Sequence, residues 1–215
     1  WLAWVLMILT GRMNRKGGLW FHPGFVRQMD QAPLPVVFNP LTPGPASRPE
    51  LPCIIGDTPC AALPDEIFAG HIRSVMNFSG GLVRALPDVN VLTKALKSLD
   101  VLATFEVTAN DTTALSTHVL PTKDQLERPD LTMGDVLSTR LSMQYTPATV
   151  APLGERRSGW WVISQINRRL GLPVPDYTPL EDSDPELDNF MLSKMLDGAR
   201  CTFEEVAATG YVERE

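Results

Sequence analysis

VLATFEVTANDTTALSTHVLP, residues 101–121, is the stretch that decides the fold. An apolar strand carries Glu106 into a polar turn, and apolar structure resumes beyond it. Upstream, HIRSVM (71–76) alternates into a second strand that runs into NFSGG (77–81). Between the two strands, Asp88 is placed to cap a helix that carries Val89, Leu92, Leu96 and Leu99 at three- and four-residue spacing, with Lys94 and Lys97 on the wet side. A right-handed crossover is the default for this βαβ order and puts both strand C-termini on one rim. Loops 77–81 and 107–113 are therefore expected to face one ligand, a phosphate at the glycines and a ribose or base at the acid.

The flanking segments fill in the architecture. Residues 1–10 are apolar on all sides and read as a buried helix ended at Gly11. RMNRKGGLWFHPG (12–24) reads as an irregular connection anchored by Trp20 and Phe21. From Pro33 to Pro64, proline is so dense that only PVVF and CIIG are candidates for brief strands. PDEIFAG (64–70) is a short helix closed by Gly70. Downstream, SGWWVISQINRRLG (158–171) reads as an amphipathic helix with Trp160, Ile163, Ile166 and Leu170 inward. Pro173 and Pro175 break structure, and PELDNFMLSKMLDGA and TFEEVAATG read as surface helices, the second with a Thr202/Glu205 capping box. The expected fold class is α/β, a Rossmann-like parallel sheet flanked by helices after a Pro-rich irregular N-terminal third. The expected organisation is residues 1–64 as the end of a preceding domain plus connection, 65–172 as a partial dinucleotide-binding domain, and 173–215 as a helical extension.

Composition narrows the partners. The chain of 215 residues is 44% hydrophobic, enough to bury a core, and its net charge of −6 with no run of Lys or Arg argues against wrapping nucleic acid. Cys53, Cys60 and Cys201 match no common zinc or iron–sulfur spacing and read as structural thiols, which favours a reducing, cytoplasmic setting. His22, His71 and His118 are far apart, with His118 read as a packed strand residue rather than a ligand. The opening WLAWVLMIL is too short to span a bilayer and lacks the features of a signal peptide, so membrane insertion is not expected. With no initial Met and an abrupt VERE end, the chain reads as a piece of a longer polypeptide.

Further motifs, taken in order, carry a family resemblance. LTGRMNRKGG (9–18) looks like an "LTGN-G-PGG" element, SGGLVRALPD (79–88) like a "GGNPL-S-PD" loop, and FEVTANDTTALSTHVLP (105–121) like "xDxFxTETxxxADVVLP". Glu127 falls at the Glu of an "E-EG" turn, and TPATVAPLGERRSGWW (146–161) is similar to "PAV-P-GEAR-DW". In this register the chain resembles the molybdopterin-dependent oxidoreductases of the dimethyl sulfoxide reductase superfamily, which include formate dehydrogenases and nitrate reductases.

The resemblance implies molybdenum, or tungsten, held by a bis(molybdopterin guanine dinucleotide) cofactor, with this stretch supplying part of one dinucleotide site. It implies a small-molecule substrate such as formate or nitrate and an electron-transfer protein partner. The metal ligand and any iron–sulfur cluster would lie outside these residues. Carried over residue by residue, the cofactor-binding set is Asn77, Ser79, Gly80, Gly81, Glu106, Asn110, Asp111 and Thr112, with no catalytic or metal-ligating residue among them.

Four departures qualify the match. Gly81-Leu82 stands where relatives have Asn-Pro, Glu106 replaces Asp, Asn110-Asp111-Thr112 replaces the "TET" triplet, and Gly159 replaces the Asp before the tryptophans. Glu106 keeps a carboxylate able to accept from a guanine N1–H and N2–H pair, with one more methylene of reach. The residues themselves leave three plainer assignments open: a glycine turn at 77–81, an N-cap cluster at 110–112, and a surface pair of Glu127 with Arg128. Arg156 and Arg157 read as solvated, although a basic pair near a dinucleotide is also sensible. Two rival functions remain at this level, a nicotinamide- or flavin-binding Rossmann-like oxidoreductase and a non-catalytic scaffold module that lost its site.

Overall fold

The computed structural model describes residues 2–26, 28, 31, 41–54, 56–132, 138–174 and 184–214. The expected strand PVVF and the break at Pro175 lie outside them. In chain order the elements are α1 (Leu2–Leu9), β1 (Leu41–Thr42), β2 (Cys53–Ile54), α2 (Leu63–Phe68), β3 (Ser74–Phe78), α3 (Leu82–Ala85), α4 (Val89–Lys97), β4 (Val101–Glu106), β5 (His118–Pro121), β6 (Asp130–Leu131), β7 (Leu141–Thr146), α5 (Gly159–Arg169), α6 (Asp184–Met195), α7 (Phe203–Thr209) and β8 (Tyr211–Arg214). They fall into two compact units, each assembled from separated stretches of chain.

The first unit comprises residues 35–128 and 149–184 and contains a parallel sheet in the order β3-β4-β5. Ser74 to Phe78 pair in register with Val101 to Phe105, and Ala103 to Glu106 with His118 to Pro121. The chain is therefore α/β, a three-stranded parallel sheet flanked by helices, as its alternation of strand and helix patterns implies. α4 forms where its three- and four-residue spacing places it. The Asp88 side chain accepts from the Val91 N–H at 3.2 Å, and Leu92 and Leu96 bury completely or nearly so against Leu102 of β4. Each such leucine contributes about 1.5–3 kcal/mol through removal from water.

The second unit comprises residues 1–34, 129–148 and 185–215, with an antiparallel sheet in the order β6-β7-β8. Its core joins Phe25, Leu131, Met143, Leu196, Val206 and Val212, residues brought together from all three stretches.

Four sequence-based placements change. α1 is exposed along its length: none of its side chains is buried, and Leu2 and Leu9 are 75% and 77% exposed, so the apolar run is helical without being core. His118 is exposed, as are Val119 and Pro121, because β5 is an edge strand of the sheet among the described residues. Leu170 is 66% exposed, and α5 is half-buried from Gly159 to Asn167, with Arg168 and Arg169 exposed, rather than sharply two-faced. The two C-terminal helices supply core instead of surface, with Leu187 of α6 and Val206 of α7 buried. Thr202 caps α7 by accepting from the Glu205 N–H, but the Glu205 carboxylate turns away to Arg214, which leaves the capping box one-sided. No helix among the described residues is long and apolar enough to cross a membrane.

Candidate functional site

The parallel register sets the tips of β3 and β4 side by side. The ladder continues one residue past β3, where the Ser79 N–H donates to the Phe105 carbonyl at 2.9 Å. There the chain turns through three successive left-handed residues, Ser79 (φ 59°), Gly80 (φ 89°) and Gly81 (φ 57°). Only glycine adopts such angles freely, and Ser79 is strained in doing so. A Cβ built on Gly80 or Gly81 meets nothing within 4 Å, so the outer side of the turn is open. Neither glycine N–H has a protein acceptor among the described residues.

Glu106 ends β4 beside this turn and is buried. Its Oε1 accepts from the Val107 N–H at 2.9 Å and the Ser79 hydroxyl at 3.4 Å, and its Oε2 accepts from the Asn110 side-chain amide at 3.0 Å. All three donors are neutral. A carboxylate has about four acceptor positions, so one remains for an external donor, and the long Ser79 contact is readily given up for another. Asn77 lies on the same face, since its register partner is Thr104. Its side-chain nitrogen is buried with no hydrogen-bond partner among the described residues, a position that costs about 1–3 kcal/mol until an acceptor meets it.

The second loop is organised by Asn110. Its side-chain oxygen accepts from the Thr112 and Thr113 N–H groups at 2.9 and 3.1 Å, capping the short 3-10 turn Thr113–Leu115, while its amide holds Glu106. Thr112 is fully buried, and its hydroxyl accepts from the Val83 N–H at the start of α3. Asp111 stays exposed and pairs with Arg84 at 2.7 Å, which raises the Arg84 guanidinium further above its ordinary value. The cap cluster expected at 110–112 is thus present, and it also stitches the glycine loop to the Glu106 loop. Against these residues lies a shallow cleft of about 320 Å³ lined by Glu106, Val107, Asn110, Thr113, Val119 and Pro121.

Two residues named in the sequence take partners that it does not show. Arg156, expected to be solvated, is only 23% exposed at its side chain. It donates to Glu127 at 3.0 Å and to the carbonyl of Val107, in the cleft wall, at 3.2 Å. Glu127, expected as a surface partner of Arg128, is buried and pairs with Arg156 instead. The N–H groups of Asp124 and Leu153 also donate to it, each at 2.9 Å. The Asp124 N–H above all, then Leu153 and Arg156, holds its carboxyl below the usual glutamate range. No periodicity marks a long-range pair 29 residues apart in sequence, so only the folded chain reveals it. At Gly159 a Cβ would sit 3.9 Å from Phe105 and Thr122, an ordinary contact, so crowding does not explain the missing aspartate.

No protein-family model and no curated protein matches the sequence. Among solved structures, the fold is similar to that of acetylene hydratase from Pelobacter acetylenicus, with a TM-score of 0.59 and 16% identity over 76% of this chain. The match covers 22% of that enzyme, so this chain spans well under a third of its length. At that identity the likeness is one of fold.

Proposed function

We propose that this chain is part of the large subunit of a molybdopterin oxidoreductase, and that its loop 77–81, Glu106 and residues 110–112 form the rim that binds one guanine dinucleotide. The observation that carries the reading is the pairing of two strand tips on one edge. One has open glycines with unused amides, the other a carboxylate with acceptor capacity to spare. The motif register described above and the fold likeness to part of a larger enzyme support it independently.

The residues suit the group. The Gly80 and Gly81 amides would meet phosphate oxygens, and the orphaned Asn77 nitrogen, two residues before Ser79 on β3, would supply a further donor. Glu106 would accept from the guanine edge, held in place by Val107 and Asn110. Bound, the cofactor supplies a metal centre for two-electron redox chemistry on a small substrate such as formate or nitrate. Within these residues the contribution is binding and orientation, and turnover needs the rest of the parent protein. The named activity of the structural neighbour is hydration, so the redox assignment rests on the motif register alone.

Calorimetric titration of the chain with GDP and ADP tests the reading. GDP should bind at least about tenfold more tightly, and Glu106→Gln should weaken it about 10- to 100-fold, the worth of a charge-assisted bond of 1.5–3 kcal/mol. A preference for the adenine nucleotide would favour the nicotinamide or flavin assignment, and no guanine binding would favour a scaffold module.

A further inference from the structure

A second, unassigned site lies in the other unit, in the loop that follows α1. The first 29 residues contain no acidic residue, in a chain whose net charge is −6, and Arg12, Arg15 and Lys16 crowd into five positions of it. These three cations have no acidic partner among the described residues. They line a polar hollow of about 290 Å³ together with Thr10, Gly17 and Gly18.

The loop that shapes the hollow is closely determined. Gly11, Asn14 and Gly17 adopt left-handed angles, with φ of 65°, 51° and 78°. Gly18 passes so near the Arg12 carbonyl that an added Cβ would fall 2.2 Å from its oxygen, so no side chain is admitted there without moving the backbone. The negative end of α1 is neutralised from within. The Arg12 N–H donates to Met7, Gly11 to Ile8, Thr10 to Leu6, and the Arg15 guanidinium to the Gly11 carbonyl at 3.2 Å. The Lys16 and Gly17 N–H groups donate to no protein acceptor among the described residues. What faces the hollow is therefore an excess of cationic donors and free amides, the complement of a tetrahedral oxyanion.

We propose that the loop 10–18 binds a diphosphate group through Arg12, Arg15, Lys16 and the loop amides, at a site separate from the strand-tip rim. A diphosphate suits the hollow because three charges and several donors exceed what one monoanion uses, and a bidentate guanidinium matches adjacent phosphate oxygens.

The full chain is titrated calorimetrically with inorganic pyrophosphate in moderate salt, in parallel with a dinucleotide that carries an internal diphosphate. Saturable binding of pyrophosphate is expected at this site. It should weaken at least tenfold in Arg12→Gln/Lys16→Gln, whose exposed positions leave the fold intact by circular dichroism, and remain in Gly80→Ala and Glu106→Gln. Measured in Gly80→Ala/Glu106→Gln, where the strand-tip rim is disabled, tighter binding of the dinucleotide would assign an esterified diphosphate, and equal binding the free anion; either supports the site. Gly18→Ala keeps every charge but displaces the loop, so its binding should fall too, and unchanged binding there counts against the shaped site. Absence of saturable binding, full retention in the double glutamine variant, or loss confined to Gly80→Ala overturns the proposal.

Discussion

Thr112 shows how much a single buried hydroxyl can organise. It is 1% exposed, accepts from the Val83 N–H at 3.2 Å, and has its own N–H taken by Asn110. Replacing it with valine keeps the volume but leaves the Val83 N–H without an acceptor among the described residues. Thr112→Val should therefore lose about 1–3 kcal/mol in urea denaturation, and a variant as stable as the parent would refute this role for the hydroxyl. In the sequence the residue is one of three in a polar triplet, recognisable as a local cap and not as the link to a loop 29 residues earlier. Glu106 was legible as the acid at the end of a strand. Its wrapping by Val107, Ser79 and Asn110 was not, because Ser79 reaches it only across the parallel ladder and Asn110 only through the fold of its own loop.

Among elements, α4 was the most readable, since its leucines repeat at helical spacing and a capping aspartate precedes them. Leu96 is 2% exposed at the centre of its packing against Leu102, so Leu96→Ala should cost about 2–5 kcal/mol with an unchanged denaturant slope. A cost below 1 kcal/mol would mean that the site collapses around the smaller side chain. β4 was equally plain. α1, α6 and α7 depart from expectation for a shared reason: an apolar or mixed helix reveals its shape locally, while burial depends on whether another element comes to cover it. α1 has no such cover among the described residues, whereas Leu187 and Val206 are each buried within the second unit.

At the scale of the whole molecule, Glu127 ties the turn at 124–127 to the loop at 153–156 through Leu153 and Arg156. Its carboxyl lies below the usual value in the folded chain, so the unfolded chain takes up that proton at higher pH. The resulting stabilisation is complete above the ordinary glutamate value of about 4.3 and is lost as pH falls through the lower folded value. Denaturation measured across acid pH should show wild type losing stability more steeply than Glu127→Gln, and parallel curves would contradict the assignment. By itself the sequence determined the parallel βαβ unit, its capped helix and the two loops at one rim, because short-range periodicity and caps act within a few residues. Only the tertiary structure decided the Glu127–Arg156 tie, the exposure of α1 and His118, and the core shared by residues 1–34, 129–148 and 185–215. Those depend on which distant surfaces meet, and burial is a property of the pair of surfaces that exclude water, not of either sequence alone.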